Sequence, residues 1–162
     1  MFRNNVGNSR AANTVEMARG GGIIVSMKKK IMIVDDAAMM RFVIKKMLSK
    51  DSNLDLAGFA SNGKEALDQL DEVQPDLILL DLEMPEMGGL EFLRHVRLRS
   101  QAKVVVLTSM APKGSSKAMQ ARALGADAVI AKPSGAVSYD LERKRGSEIR
   151  RTIYALLEIE DN

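Results

Sequence analysis

The chain has 162 residues, of which 46% are hydrophobic and 28% are charged, and its formal net charge is +3. This composition is typical of a globular domain that is large enough to bury its own core. Cysteine is absent and His95 is the single histidine, which excludes disulfides, thiol nucleophiles and metal sites built from cysteine or several histidines. The small net charge and the lack of an apolar run of about 20 residues predict a cytoplasmic protein without nucleic-acid binding or membrane insertion.

The first 26 residues differ in composition from the rest of the chain. They are rich in Asn, Gly, Ser and Ala, and Gly20–Gly22 interrupt any helical pattern, so we predict a disordered N-terminal tail. Met27 stands directly before three lysines and the first strand, so residues 1–26 are alternatively a mis-assigned start that the cell does not make. Residues 27–162 then form the folded domain, and too little sequence follows the fifth predicted strand for an output domain.

From Met27 onward, short apolar runs alternate with helical patterns. Runs of this length, rich in Val and Ile, indicate buried strands, whereas apolar residues at spacings of three and four indicate helices. Right-handed crossovers then place helices on both faces of a parallel sheet. The predicted strands are 30–34, 54–60, 77–80, 104–107 and 128–131, and the predicted helices are 39–49, 63–73, 90–99, 116–124 and 147–158.

Polar side chains follow four of these strands. Asp35 and Asp36 come after the first strand, Asp81 after the third, Thr108 after the fourth and Lys132 after the fifth. The carboxyl ends of parallel strands meet at one edge of the sheet, where functional groups of this fold class gather. The sequence therefore predicts a doubly wound, five-stranded α/β fold with strand order 2-1-3-4-5, because that order makes the first and third strands neighbours.

Three carboxylates at one edge repel each other, and a hard divalent cation removes that conflict. Mg²⁺ prefers a few carboxylates together with waters and phosphate oxygens. We predict Asp36 and Asp81 as direct ligands, Asp35 as a ligand directly or through water, and the backbone carbonyl of Glu83 as a further ligand. The alternative is that Asp35 and Asp36 only cap the following helix, but their coincidence with the other polar residues of this edge favours a functional site.

Asp81 is the carboxylate placed to act as a nucleophile towards a phosphoryl donor, which would form an aspartyl phosphate. Phosphoryl transfer depends mainly on positioning and on neutralising charge on the equatorial oxygens. The Lys132 ammonium and a cation supply that charge, and the Thr108 hydroxyl donates a hydrogen bond. Because Lys132 precedes Pro133, a cis peptide bond is accessible at modest cost and would aim the lysine over the pocket.

The segments that carry these residues resemble the receiver domain of two-component response regulators. They read KIMIVDD, ILLDLEMPEMGG, VVVLTSM and AKPSG, and the resemblance covers about residues 28–157. It implies a flavodoxin-like (α/β)5 fold and a histidine kinase as the phosphodonor to Asp81. It also implies that Thr108 and Lys132 read the phosphorylated state.

Further segments are similar to one branch, the receiver half of the chemotaxis methylesterase. These segments read LEMPEMGGLEFLR, TSMAPKGSSKAM and KPSGAVSYDL. That enzyme continues into a hydrolase domain, which we do not find in this sequence. The resemblance therefore implies a stand-alone response regulator that is not an enzyme apart from its own phosphorylation and dephosphorylation. We expect it to act in chemotaxis by switching the binding of a protein target to its fourth helix, fifth strand and fifth helix.

Two positions depart from the usual pattern of the family. Val129 occupies a position that is commonly aromatic, so the conformational switch uses another side chain or is weaker. Met110 is larger than the small residue usual at its position, and with Glu83 it flanks the path of a water that attacks the acyl phosphate. We hypothesise that Met110 and Glu83 lengthen the phosphorylated lifetime.

Two other interpretations fit parts of the pattern. Phosphohydrolases of the haloacid dehalogenase type also place a nucleophilic aspartate after an apolar strand, but they need an acid/base aspartate two residues later, where this chain has Glu83, and a substrate-covering cap. The other interpretation is a receiver-like fold that binds partners without phosphorylation, against which the complete set of pocket residues argues.

Overall fold

The computed structural model describes residues 13–17, 23–109, 115–132 and 139–161, with side chains in 27–109, 115–132 and 143–161. In these ranges the strands are β1 (Asn13–Met17), β2 (Ile23–Met27), β3 (Lys29–Val34), β4 (Leu54–Ala60), β5 (Leu77–Asp81), β6 (Lys103–Thr108) and β7 (Ala128–Ala131). The helices are α1 (Ala38–Leu48), α2 (Gly63–Val73), α3 (Gly89–Arg99), α4 (Ser116–Ala123) and α5 (Tyr139–Leu157). No helix in the described ranges combines the length and apolar character of a membrane span.

Strands β3 to β7 form one parallel sheet in the order β4-β3-β5-β6-β7. Counted from β3, this is the order 2-1-3-4-5, so the predicted fold is confirmed. The register pairs Val34 with Leu80, Asp81 with Leu107 and Thr108 with Ala131. The carboxyl ends of β3, β5, β6 and β7 are therefore level at one edge of the sheet.

Both faces of the sheet are buried, because helices cover each of them. Successive strand residues point to opposite sides. One face packs against α2, α3 and α4, and the other packs against α1 and α5. The first cluster includes strand residues Met32, Val34, Ile78, Leu80, Val104 and Val106. The second includes Ile31, Ile33, Leu77, Leu79, Val105 and Leu107. This two-sided burial explains why the strands are continuous apolar runs rather than alternating ones.

The predicted strands and helices of this domain agree with the structure to within one residue, with the exception of the last helix. Asn62 caps α2, since its side chain accepts a hydrogen bond of 2.8 Å from the Glu65 N–H. Helix α5 begins at Tyr139 rather than at 147, so the prediction of its start was wrong. Gly146 does not break the helix, because an interior glycine costs only about 1 kcal/mol and this one allows a close approach to α1. A Cβ at Gly146 would overlap the Met47 Cε.

The segment predicted to be disordered contains two strands in the structure. Strand β1 pairs antiparallel with β2, from Asn13 opposite Met27 to Met17 opposite Ile23, and the pair forms a sheet separate from the main one. Both strands carry β-branched residues, which favour extended backbone, and the glycines read as helix breakers separate two strands in sequence. That residues 1–26 are a mis-assigned start stays a prediction.

A polar network joins the end of α5 to the turn after α1. The Tyr154 hydroxyl lies 2.8 Å from both carboxylate oxygens of Asp51 and accepts a hydrogen bond of 3.0 Å from Asn53 Nδ2. Arg150 Nε donates to the same carboxylate at 2.8 Å. Tyr154 is 6% exposed, so its hydroxyl has little access to water and depends on these partners.

We expect Tyr154→Phe to lower the free energy of unfolding by about 1–2 kcal/mol, because the buried Asp51 carboxylate and the partly buried Asn53 amide each lose a hydrogen-bond partner. Urea denaturation followed by circular dichroism measures this. The control is Leu98→Ala on α3, where the side chain is 87% exposed and the expected change is below about 0.5 kcal/mol. Equal effects of the two substitutions would contradict a stabilising role for the network.

Candidate functional site

The structure brings the predicted polar residues together at the carboxyl edge of the sheet. Asp35, Asp81 and Thr108 are buried, with exposures of 2%, 3% and 5%, whereas Asp36 is exposed. Lys132 directly follows β7, and its backbone N–H donates to the Thr108 carbonyl at 3.0 Å. The level strand ends described above position these side chains, as the sequence predicted.

Lys132 bridges two of the carboxylates. Its ammonium lies 2.8 Å from Asp35 Oδ2 and 3.0 Å from Asp81 Oδ1, and its side chain is 12% exposed. Asp81 Oδ1 also accepts a hydrogen bond of 3.1 Å from the Glu83 N–H. One ammonium among three carboxylates leaves an excess of negative charge at this edge of the sheet.

The three carboxylates fit a divalent cation. One oxygen each of Asp35, Asp36 and Asp81 lies within 4.8 Å of the other two. These are hard oxygen donors, the type that Mg²⁺ prefers, and the charge excess beside Lys132 is what a divalent cation would neutralise. The backbone carbonyl of Glu83 stays a predicted ligand.

The interpretation of the two aspartates as helix caps is wrong. The N-cap of α1 is Ala37, and no side chain caps this helix. Asp35 Oδ1 instead accepts a hydrogen bond of 2.9 Å from the Ala37 N–H, within the turn that leaves β3. This contact orients the Asp35 carboxylate while its second oxygen faces Lys132.

Glycine at the start of α3 keeps the end of β5 in place. A Cβ at Gly89 would overlap the backbone oxygen of Asp81 and would lie 2.7 Å from the Leu82 Cα. Both neighbours are backbone atoms that cannot move without shifting β5. The close approach of α3 to Asp81 therefore requires glycine at this position.

The sequence matches a known protein family over most of the main domain. The family model described as "Response regulator receiver domain" matches residues 31–138. The chain belongs to the response regulator receiver domain family. This confirms the resemblance drawn from the motifs, places the protein in two-component signalling, and removes the haloacid dehalogenase interpretation.

Curated relatives of this receiver domain are methylesterases. A protein-glutamate methylesterase/protein-glutamine glutaminase of Treponema pallidum is 49% identical over 112 residues, which are 68% of this chain and 28% of that protein. A protein of the same description from Syntrophomonas wolfei is 40% identical over 114 residues, 70% of this chain and 32% of that protein. The chain thus spans about a third of the length of these relatives.

Solved structures show the same fold. The response regulator domain of Thermotoga maritima CheB superposes with a TM-score of 0.74 at 29% identity, covering 83% of this chain and 99% of that one. A chain in the complex of the P1 domain of CheA3 with CheY6 from R. sphaeroides superposes with a TM-score of 0.68 at 48% identity, covering 80% and 97%. The flavodoxin-like receiver fold and the likeness to chemotaxis proteins are thereby confirmed.

The electrostatics of the receiver pocket shift two pKa values. Burial raises the pKa of Asp81 above its ordinary value of 3.8, and the charge of Asp35 adds to the rise, although hydrogen bonds from the Glu83 N–H and from Lys132 act against it. Burial alone lowers the pKa of Lys132, but its hydrogen bonds to Asp35 and Asp81 and their charges outweigh burial and raise it. The ionised form of Asp81 is thus destabilised by burial, and the protonated form of Lys132 is stabilised by the two carboxylates.

The other residues singled out from the sequence do not contact one another in the described part of the chain. The Glu83 side chain is exposed and forms an ion pair with Lys117 in the first turn of α4. Val129 is partly buried against the core cluster of the α2–α4 face. Met110 and Pro133 lie outside the described residues, so their predicted roles and the predicted cis bond stay predictions.

Two contacts at this edge were not predicted from sequence. Arg41 Nη1 donates to the Asp35 backbone carbonyl at 2.5 Å, and the separation of six residues is not one of the i,i+3 or i,i+4 spacings that would have indicated it. Lys117 is 34 residues from Glu83 in sequence, and no local pattern links the two. The first contact holds the β3–α1 turn, and the second links α4 to the loop after β5.

We expect Asp81→Asn to raise the free energy of unfolding by about 1 kcal/mol at neutral pH without divalent cations, the size typical of a single buried change. The folded state binds a proton on Asp81 more tightly than the unfolded state does, so wild-type stability falls as pH rises through the raised pKa. The advantage of the variant should therefore appear above pH 3.8 and disappear below it. Urea denaturation at a series of pH values in EDTA measures this.

Asp68→Asn on the exposed side of α2 is the matched control, because it removes one carboxylate without removing a buried charge. An Asp81→Asn variant that is less stable than wild type at pH 7 would contradict the conclusion that burial destabilises the ionised form of Asp81.

Proposed function

We propose that this receiver domain accepts a phosphoryl group from a histidine kinase on Asp81, in a reaction that depends on Mg²⁺, and that the phosphorylated form binds a protein target differently. The observation that carries the proposal is the convergence of three carboxylates and the Lys132 ammonium at one sheet edge. Family membership supports the same conclusion.

In the proposed reaction, a carboxylate oxygen of Asp81 attacks phosphorus. The phosphorus–nitrogen bond of the donor phosphohistidine breaks, a phosphorus–oxygen bond forms, and the released imidazole takes up a proton. The contacts from the Glu83 N–H and from Lys132 both go to Oδ1, so we assign the attack to Oδ2. Because burial raises the free energy of the Asp81 anion, conversion to an acyl phosphate removes the charge from the carboxyl group and places it on the phosphoryl oxygens.

Lys132, Thr108 and the metal ligands have distinct proposed roles. Lys132 neutralises charge on the phosphoryl oxygens, and the Thr108 hydroxyl donates to one of them, which couples β6 and β7 to the phosphorylated state. Asp36 and Asp81 would hold Mg²⁺, with Asp35 and the Glu83 carbonyl completing the protein ligands. When bound, Mg²⁺ supplies positive charge against the equatorial oxygens.

The proposed output is a change in partner affinity rather than catalysis. A partner can distinguish the two states only if it binds them with different free energies, and we place that contact on α4, β7 and α5. In the R. sphaeroides complex, the P1 domain of CheA3 is bound to CheY6, which supports a histidine kinase of the chemotaxis type as the donor. We propose a cytoplasmic response regulator of chemotaxis.

Intact-mass spectrometry after incubation with acetyl phosphate and Mg²⁺ tests the phosphoacceptor. We expect a single phosphoryl adduct on the wild-type chain, and no adduct with EDTA or with Asp81→Asn, because both remove a reacting or charge-neutralising group. An adduct that persists in Asp81→Asn would contradict the assignment of the residue. No adduct with any donor would instead favour the receiver-like module that binds partners without phosphorylation.

Glu83→Asn should shorten the phosphorylated lifetime several-fold. The longer Glu83 side chain, held by Lys117, narrows the approach of water to the acyl phosphate, and the shorter amide loses that ion pair. Loss of the mass adduct with time after removal of the donor measures the rate. Glu86→Gln, an exposed residue of the same loop, is the matched control, and an unchanged decay in Glu83→Asn would end the hypothesis.

A further inference from the structure

The three carboxylates that converge at the sheet edge are not held equally. Asp35 and Asp81 are both fixed, since each accepts a hydrogen bond from a backbone N–H and lies 2.8 or 3.0 Å from the Lys132 ammonium. The Asp36 side chain is exposed, and no hydrogen bond or ion pair holds its carboxylate within the described ranges. The position of the Asp36 carboxylate therefore depends on the backbone that carries it.

That backbone is the turn from β3 into α1, and it has no side-chain cap to tie it to the helix. A Ser, Thr, Asp or Asn at the N-cap would accept a hydrogen bond from an N–H of the first helical turn. The N-cap of α1 is Ala37, which has no side-chain oxygen. The contact between the Asp35 carboxylate and the Ala37 N–H lies within the turn, so a tie to the body of α1 has to come from another residue.

Arg41 supplies this tie through two contacts. Its backbone N–H donates to the Ala37 carbonyl at 3.1 Å. Its guanidinium reaches back over the first turn of α1, and Nη1 donates to the Asp35 carbonyl at 2.5 Å. Asp36 lies between these two carbonyls in the chain, so Arg41 fixes the backbone on both sides of it.

The surroundings of the side-chain contact make it an effective one. Asp35 is buried and Arg41 is half-buried, so water competes little for the carbonyl. Hydrogen bonds from an ionised donor are stronger than those between neutral groups, and the guanidinium presents its donors in a rigid plane. Within the described ranges Arg41 forms no ion pair with a carboxylate, so this hydrogen bond is the polar contact that its side chain makes.

We propose that Arg41 is a positioning residue of the cation site, a role that rests on the proposed binding of Mg²⁺ there. By holding the β3–α1 turn, it keeps an oxygen of Asp36 within 4.8 Å of oxygens of Asp35 and Asp81. Mg²⁺ demands a near-ideal octahedron, so a turn that moved freely would have to be ordered when the ion binds, which lowers affinity. Contacts that orient metal ligands typically change metal affinity about 10–100-fold when they are removed.

The charge of Arg41, taken alone, predicts the opposite effect. Its guanidinium is bonded to the backbone of a residue of the site, and a positive charge so close to a cation site repels the cation. If charge were its whole influence, a neutral residue at this position would bind Mg²⁺ more tightly. If Arg41 only stabilised α1, its loss would leave Mg²⁺ affinity unchanged. The sign of the change in affinity therefore separates positioning from both alternatives.

The test is titration of Mg²⁺ into the ¹⁵N-labelled full-length chain, followed by nuclear magnetic resonance of the backbone amides of 35–37 and Glu83. This measurement needs no phosphodonor. We expect saturable binding by the wild type and about tenfold weaker binding by Arg41→Met, because methionine keeps an unbranched side chain but cannot donate to the Asp35 carbonyl.

Two further variants locate the effect. Lys46→Met is the matched control, because it removes an exposed cation from the same helix without touching the turn, and it should change Mg²⁺ affinity less than twofold. In an Asp36→Asn background, Arg41→Met should also change affinity less than twofold, because the carboxylate that Arg41 positions is no longer present. Circular dichroism and urea denaturation in EDTA show that each variant is folded. If Arg41→Met does not fold, Arg41→Gln, which also lacks the guanidinium, takes its place.

Several outcomes would overturn the positioning role alone. These are equal or tighter Mg²⁺ binding by the folded Arg41 variant, an equal loss of affinity in Lys46→Met, or a tenfold loss that persists in the Asp36→Asn background. Absence of saturable Mg²⁺ binding by the wild type would instead overturn the proposed cation site, and this inference with it. The failure of the inference and the failure of the proposed function are thus distinguished by the wild-type titration.

Discussion

The contact of one buried ammonium with two buried carboxylates is the interaction on which the functional edge of this domain depends. Removing an ion from water costs several kcal/mol even after relaxation. The Lys132 ammonium lies 2.8 Å from Asp35 and 3.0 Å from Asp81. Its positive charge compensates one of these two negative charges, and the attraction offsets the cost of burying both ions of that pair. The uncompensated carboxylate charge remains in the pocket, and it is this excess that suits a divalent cation.

The sheet explains why the charges collect where they do. Both of its faces are covered by helices, so an ionised side chain within a strand would face a dry core on either side. Charged side chains are therefore accommodated only where a strand ends and the chain turns. Because the registers make four strand ends level, one edge receives Asp35, Asp81, Thr108 and Lys132. The same constraint that builds the core thus assembles the site.

Helix α1 links this edge to the outside of the domain. It starts two residues after Asp36, where the turn is held by the Ala37 N–H and by Arg41, and its inner face is locked into the core cluster shared with α5. Its outer face is apolar, with a basic border.

The sequence by itself determined the fold class, the strand order and the five residues that meet at the edge, because buried strands are apolar throughout and their ends are the only positions open to charge. It did not determine the start of α5, since a glycine inside a helix is unfavourable relative to other residues and only the close approach of Met47 gives Gly146 a packing reason. Nor did it indicate the strands in the N-terminal segment, whose glycines are equally compatible with a disordered tail and with a hairpin. The tertiary structure alone decided that Lys132 lies between Asp35 and Asp81 and that Glu83 pairs with Lys117, because these contacts join residues far apart in the chain. It also decided that Met39 and Phe42 stay exposed, since the exposure of a helix residue depends on which elements pack against it.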